Sequence, residues 1–212
     1  MISDPKRLVA SGYDGITGSY LSRYGASTVR DHWLAELLKR LPAQGGARVL
    51  DLGCGAGIPV ARALATAGYT VIGVDGSAGQ LSLARDHVPA AEFIHADMTA
   101  VEFPALSFDA VAAFYSITHV PRSRHDGLLR RVAGWLKPGG LLVASLGAEA
   151  LSDWSGEWLG TEMFFSHYDS ETNLALLRGA GFAIDRSEVM DQDNEHARFL
   201  WVVARTTSGA AM

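Results

Sequence analysis

Asp51 and three glycines, Gly53, Gly55 and Gly57, share one short run, VLDLGCGAG (residues 49–57). Glycines at alternate positions admit backbone conformations closed to other residues and let a ligand approach the main chain closely. The segment behind the run reads as a helix, whose first turn leaves N–H groups unpaired. Strand, glycine turn and helix together cradle a nucleotide-like ligand at the carboxyl end of a sheet. The dinucleotide pattern G-x-G-x-x-G would need glycine at 58, where the chain has Ile58. Asp51 sits two residues ahead of the first glycine; facing the ligand, it would repel a pyrophosphate and attract a cationic amino-acid group. A glycine-rich connection with no ligand is the weaker reading.

Two further acids fall at strand ends. Asp75 closes the run VIGVDGS, about 20 residues past the glycine loop, where a carboxylate accepts from both ribose hydroxyls. Asp97 follows in FIHADM, where it could accept from an adenine amino group while the N–H of Met98 donates to the ring. Singly, such residues are as often helix N-caps or Asx-turns. Three acids at three consecutive strand ends favour a ligand.

These residues need a sheet to hold them. Apolar runs at 47–52, 70–74, 92–95, 108–114 and 141–146 alternate with helical patterns at 58–67, 77–87 and 124–136, which reads as an α/β fold with a mainly parallel sheet. Lys137-Pro138-Gly139-Gly140 reads as a stop and turn. Residues 147–168, rich in Gly, Trp and Phe, show no clean period. A helix is expected at 170–179, ended by Gly181. Strands at 182–190 and 198–205, parted by the polar turn 191–195, should form an antiparallel hairpin. An amphipathic helix is expected at 26–41, and the closing TTSGAAM reads as a frayed tail.

At 212 residues, 48% hydrophobic and 19% charged, the chain is expected to be one domain, 1–212. Its net charge of −5 argues against nucleic-acid or anionic-membrane partners. The lone cysteine, Cys54, excludes an intrachain disulfide and disfavours a cysteine-built zinc site; no metal is expected. The opening residues lack the apolar core of a signal peptide, and no apolar run reaches about 18 residues. A soluble cytoplasmic protein, monomer or homodimer, is the expectation.

The motifs resemble the class I S-adenosylmethionine-dependent methyltransferases. DLGCGAG is similar to that family's first motif, VDGS to its ribose-binding acid and ADM to its adenine-binding acid; FDAVAAFYSITHV and LKPGGLLVASL resemble the strands that follow. The resemblance implies a Rossmann-like, mostly parallel seven-stranded sheet flanked by helices and finished by the C-terminal hairpin. It implies S-adenosyl-L-methionine as cofactor, with S-adenosyl-L-homocysteine as product. Gly53 and Gly55 would flank the methionine and ribose portions, and Asp51 would orient the loop and the methionine ammonium. Asp75 and Gly76 would hold the ribose, Asp97 and Met98 the adenine, and Phe114 and Tyr115 would border the methionine end. Tyr13 and Tyr20, in YDGITGSY, look like a segment folded over the cofactor, within an N-terminal helical cover at 1–42. The chain departs from the family at Ile58-Pro59, where many members have small polar residues, and at Gly76 and Gly79, in what should be a helix cap and first turn.

Methyl transfer is an in-line displacement in which the enzyme chiefly positions the acceptor. A hydroxyl or amine acceptor also benefits from a general base, and histidine suits that role. His119, in SITHV after the fourth strand, is the first candidate and His167, in FFSHYD, the second. The bland alternatives are a histidine packed under a loop and one near a helix N-terminus. His87 and His125 are expected to be solvated, His32 to lie in the N-terminal helix, His95 to cap a strand and His196 to sit exposed in the hairpin turn. Trp154, Trp158, Met163, Phe164, Phe165 and Tyr168 mark residues 148–168 as a cover over an apolar acceptor pocket, or as a cap on the sheet edge. Asp191, Asp193 and Glu195 read as a solvated turn. The expected function is transfer of a methyl group to a small molecule, an O- or N-nucleophile of apolar or aromatic character. Competing readings are a nicotinamide-dependent oxidoreductase, opposed by Ile58 and Asp97, and a non-catalytic cofactor-binding module. Nucleic-acid methylation is disfavoured because Phe114-Tyr115-Ser116-Ile117 replaces the Asn/Asp-Pro-Pro-aromatic signature.

Overall fold

Apolar runs this continuous make strands that helices must cover on both faces. The computed structural model describes residues 4–43, 46–193 and 197–207. Three helices come first: α1 (Pro5–Gly15), α2 (Thr17–Tyr24) and α3 (Thr28–Arg40). Then β1 (Arg48–Leu52), α4 (Val60–Thr66), β2 (Thr70–Asp75), α5 (Ala78–His87), β3 (Glu92–His95), β4 (Phe108–Ala113), α6 (His125–Trp135) and β5 (Leu136–Gly147) alternate. A hairpin of β6 (Leu151–Trp158) and β7 (Thr161–His167) precedes α7 (Ser170–Gly179), β8 (Phe182–Asp191) and β9 (Arg198–Thr206).

Seven strands form one sheet in the order β3-β2-β1-β4-β5-β9-β8. The first five are parallel, and β9 runs antiparallel to both β5 and β8. This is the Rossmann-like mixed sheet expected from the sequence. After β1 the chain steps outward through β2 and β3, then returns to place β4 on the other side of β1. Connections therefore leave the ends of β1 and β4 in opposite directions, which opens a crevice there.

Alternate side chains of each strand point to opposite faces and build two cores. On one face Leu50, Leu52, Ile72 and Val74 pack with Leu128, Leu129 and Leu177 of α6 and α7. On the other, Val49, Val71, Val143 and Trp201 pack with Trp33, Leu37 and Leu64 of α3 and α4. Ser27 caps α3 through Arg30 N–H at 3.1 Å. Asp193 reinforces the same helix start from the β8–β9 turn, accepting from Ser27 Oγ (2.6 Å), Thr28 Oγ1 (2.7 Å) and the N–H of Val29 (3.3 Å). Asp193 is exposed in that turn and caps α3 as well. Glu195, His196 and the tail from 208 lie outside the described residues. Among the described residues no helix is long and apolar enough to cross a membrane.

Two local expectations differ from the structure. Residues 147–168 are not irregular: β6 and β7 pair antiparallel. Their turn is Leu159-Gly160, both with positive φ (53° and 79°), a hairpin geometry usually announced by Asn-Gly. Solvent also covers most of β6, which removes the alternation a half-buried strand would show. Lys137 to Gly140 belong to β5, because Leu136 already pairs with Phe108 before a bulge brings Leu141 to Ala110. The N-terminal region holds two helices ahead of α3; Asp4 caps α1 and Pro5 opens it, a legible start signal.

Trp201, fully buried, stacks on Trp33 with ring centroids 5.6 Å apart and planes 5° from parallel. Trp201→Ala is expected to cost about 3–5 kcal/mol in denaturant unfolding. A cost below about 1 kcal/mol would mean that this stack does not hold α3 to the sheet.

Candidate active site

The crevice opens into a cavity of about 430 Å³, of a size that takes small ligands. Its wall combines the ends of β1 to β4 with residues of α1 and α2: Gly53, Gly55, Asp75, Gly76, Gln80, Asp97, Met98, Phe114, Tyr115, His119, Tyr13 and Tyr20 are all part of it. Asp51 and His167 are not. Asp51 lies behind the glycine loop, only 2% exposed. One of its oxygens accepts from Ala61 N–H in α4, and Oδ2 has no partner. His167 packs against Gly147 and bonds Glu149 carbonyl through Nδ1, because its place at the end of β7 turns it away from the crevice.

The glycine loop is stitched to its neighbours. Gly53 and Cys54 donate to Val74 carbonyl at 2.8 and 3.1 Å. Gly53 has φ of +83°, and a Cβ there would lie 2.2 Å from Ser116 Cβ, so only glycine fits. Ser116 Oγ in turn donates to Leu52 carbonyl at 2.6 Å. Asp75 ties loop to helix: Gly55 N–H donates to Oδ2 at 2.8 Å and Ser77 N–H to Oδ1 at 2.9 Å. Each carboxylate oxygen keeps a further lone pair for a ligand. Burial raises the pKa of both Asp75 and Asp51, the latter to about 7 with Asp75 as a second cause. The desolvated Asp75 carboxylate makes this wall receptive to a cation or to hydrogen-bond donors, with Asp51 behind it.

Helix α1 roofs the cavity and is pinned at three points. Lys6 forms an ion pair with Asp97, whose pKa is lowered because the Lys6 and Thr99 bonds outweigh its partial burial. Asp14 Oδ1 accepts from Ser77 Oγ (2.6 Å) and Gly79 N–H (2.8 Å). That contact explains Gly79: a Cβ there would meet Thr17 Oγ1 at 3.0 Å and Asp14 Oδ1 at 3.1 Å. Ser77 caps α5 through Gln80 N–H, so the flanking glycines do not disturb its start. The third pin is Tyr13, whose hydroxyl lies 2.8 Å from His119 Nε2.

His119 is held from behind as well, with Nδ1 2.9 Å from Phe164 carbonyl. Burial pushes its pKa down to about 4, so the ring is neutral. Tyr115, at the end of β4, adopts φ of +55°, strain that a bulky residue keeps only where its surroundings impose it. The β6–β7 hairpin stands behind this end: Phe165 packs on His119 (4.5 Å) and Trp158 on Tyr24 (5.9 Å) and Tyr13 (6.2 Å). Among the described residues none of the hairpin's side chains lines the cavity. Of the other histidines, His125 is buried and bonded to Val120 carbonyl, because α6 turns it inward. His87, half-buried, is bonded to Ala56 carbonyl, and His95, exposed, to Gly76 carbonyl.

The family model of a methyltransferase domain matches residues 49–140, the span that carries every strand-end loop just described. The chain is 38% identical over 113 residues to a trans-aconitate 2-methyltransferase of Paracidovorax citrulli, 52% of this chain and 43% of that one. It is 30% identical over 155 residues to the 27-O-demethylrifamycin SV methyltransferase of Amycolatopsis mediterranei, 64% of this chain and 56% of that one. A solved S-adenosylmethionine-dependent methyltransferase from Mesorhizobium loti superposes with a TM-score of 0.66 at 26% identity, covering 81% of this chain and 96% of that one. Over residues 49–140 the chain is thus similar to a methyltransferase domain, and its fold to a solved S-adenosylmethionine-dependent methyltransferase. The chain spans about half the length of these curated relatives.

The cavity fits the family's cofactor on its own terms. Gln80, 1% exposed on the first turn of α5, lines the cavity with neither amide atom partnered. A buried amide left unpaired costs stability unless a ligand satisfies it. Sequence spacing gave no hint of Gln80, nor of Lys6 and Arg7, which line the roof. The raised pKa of Asp51 has a thermodynamic consequence. Its unfolded value lies near 4, so its contribution to stability is complete below about pH 4 and is lost as pH rises through about 7. The melting temperature of ligand-free protein, relative to that of Asp51→Asn, should therefore fall between pH 4 and 8. A difference that stays flat across that window would contradict the buried, raised carboxyl.

Proposed function

We propose that the chain transfers the methyl group of S-adenosylmethionine to a small molecule, an oxygen or nitrogen nucleophile of apolar or aromatic character. The observation that carries this reading is the meeting of two chemistries in one cavity. Its wall holds Asp75, Asp97 and the unpaired Gln80 amide together with an aromatic set containing Tyr13, Tyr20, Phe114 and His119. Bound there, the cofactor supplies an electrophilic methyl on a sulfonium. In this reading Asp75 accepts from the ribose hydroxyls and Gln80 meets the same nucleoside. Asp97 and Met98 border the adenine, and Gly53 and Gly55 let the amino-acid portion lie on the backbone. Asp51 acts through the loop it supports. Helix α1 is the cover that excludes water, and the hairpin behind His119 fixes the acceptor wall. The names of the relatives, acting on trans-aconitate and on a demethylrifamycin, support a small-molecule acceptor, and the net charge of −5 supports the absence of nucleic acid.

Asp75→Ala should weaken S-adenosylhomocysteine binding at least about tenfold, or about 1.4 kcal/mol, by calorimetry; unchanged affinity refutes the ribose role. His119→Ala should lower kcat at saturating cofactor while the Kd of S-adenosylhomocysteine stays within about twofold of wild type. Full turnover in that variant removes His119 from the reaction.

A further inference from the structure

Resting on the methyl-transfer reading, the bonds that Asp97 already makes decide how an adenine reaches it. Thr99 holds the carboxylate from within the same loop. Its N–H donates to Oδ1 at 2.8 Å, and its hydroxyl lies 2.9 Å from Oδ1 and 2.9 Å from Oδ2. A donor equidistant from both oxygens stands where their inner lone pairs converge. The outer lone pair of Oδ1 goes to the N–H, so the outer one of Oδ2 is left for another element. The ammonium of Lys6 takes it. Lys6 and Asp97 both belong to the cavity wall, so their contact lies where a ligand would meet the acid.

Of the two partners, Lys6 is the one able to give way. Asp97 carbonyl accepts from the N–H groups of Ala100 and Val101, both at 2.9 Å, which closes the loop on itself. Arg131 of α6 donates to the carbonyls of Thr99 and Val101 and fixes that loop from behind. Lys6 stands on the first turn of α1, on a flexible four-carbon stem, and makes no other ion pair among the described residues. Asp14, on Ser77 and Gly79, holds the same helix about two turns farther along, independently of Lys6.

We propose that Lys6 is an autoinhibitory mask on the adenine-binding acid. The adenine amino group competes with the Lys6 ammonium for Asp97 Oδ2, and Lys6 moves out to water as the base enters. Cofactor entry thus releases the first pin of α1, while Asp14 and Tyr13 keep the rest of the roof in place. The Lys6 and Asp97 side chains are 33% and 26% exposed. An ion pair so open to solvent is weak and screened by salt, so it lowers cofactor affinity without abolishing binding.

The test is calorimetric and needs no turnover. S-adenosylhomocysteine is titrated into the full chain, wild type and Lys6→Met, at about 0.05 M and about 0.5 M salt. If it binds neither protein, the methyl-transfer reading itself is overturned. Where it binds, Lys6→Met should hold it about two- to fivefold more tightly than wild type at low salt, and the gap should close at high salt. An analogue with hydrogen in place of the adenine amino group should bind both proteins alike, which separates unmasking of Asp97 from a general loosening of the roof. Equal or weaker binding by Lys6→Met, a gap that salt leaves unchanged, or the same gain with the deamino analogue overturns the mask while cofactor binding still stands.

Discussion

A hydrogen bond of 2.8 Å from Gly55 N–H to the Asp75 carboxylate joins the turn after one strand to the end of its neighbour. It fixes the floor on which the rest of the site is assembled. The turn can reach Asp75 because Gly53 takes a positive φ and leaves room for Ser116. Ser116 in turn anchors the segment after β4 to Leu52, so three strand ends become one rigid surface. The carboxylate that makes this bond is desolvated and keeps lone pairs toward the cavity, so structure and binding draw on the same group.

The roof is attached to that floor by polar contacts rather than by a large apolar interface. Lys6 on Asp97, Asp14 on Ser77 and Gly79, and Tyr13 on His119 each tie α1 to a different strand-end loop. A helix held by a few discrete bonds can open for a ligand without dismantling either core. The pins differ in chemistry: Lys6–Asp97 is ionic, and Tyr13–His119 joins a phenol to a neutral imidazole.

Much of this was legible in the residues. The glycine loop, the acids at 51, 75 and 97, and all seven strands of the main sheet follow from short apolar runs and turn chemistry, which local sequence encodes well. What escaped depended on contacts distant in sequence. Gln80 is an ordinary helix residue until α5 is docked beside Gly55. The pairing of Tyr13 with His119 spans 106 positions, and nothing local signals it. The β6–β7 hairpin was hidden by a Leu-Gly turn and by a strand with little buried face. His167 was attractive as a base by its place after the fifth strand, but its position in β7 gave its ring to Glu149 carbonyl instead.

The central claim is that the strand-end cavity receives an adenosyl sulfonium. A crystal structure grown with saturating S-adenosylhomocysteine tests it most directly. The account predicts ribose hydroxyls on the Asp75 carboxylate, adenine beside Asp97 and Met98, and sulfur facing the Tyr13–His119 pair. Ligand bound elsewhere on the fold, or folded protein that takes up none, would contradict it.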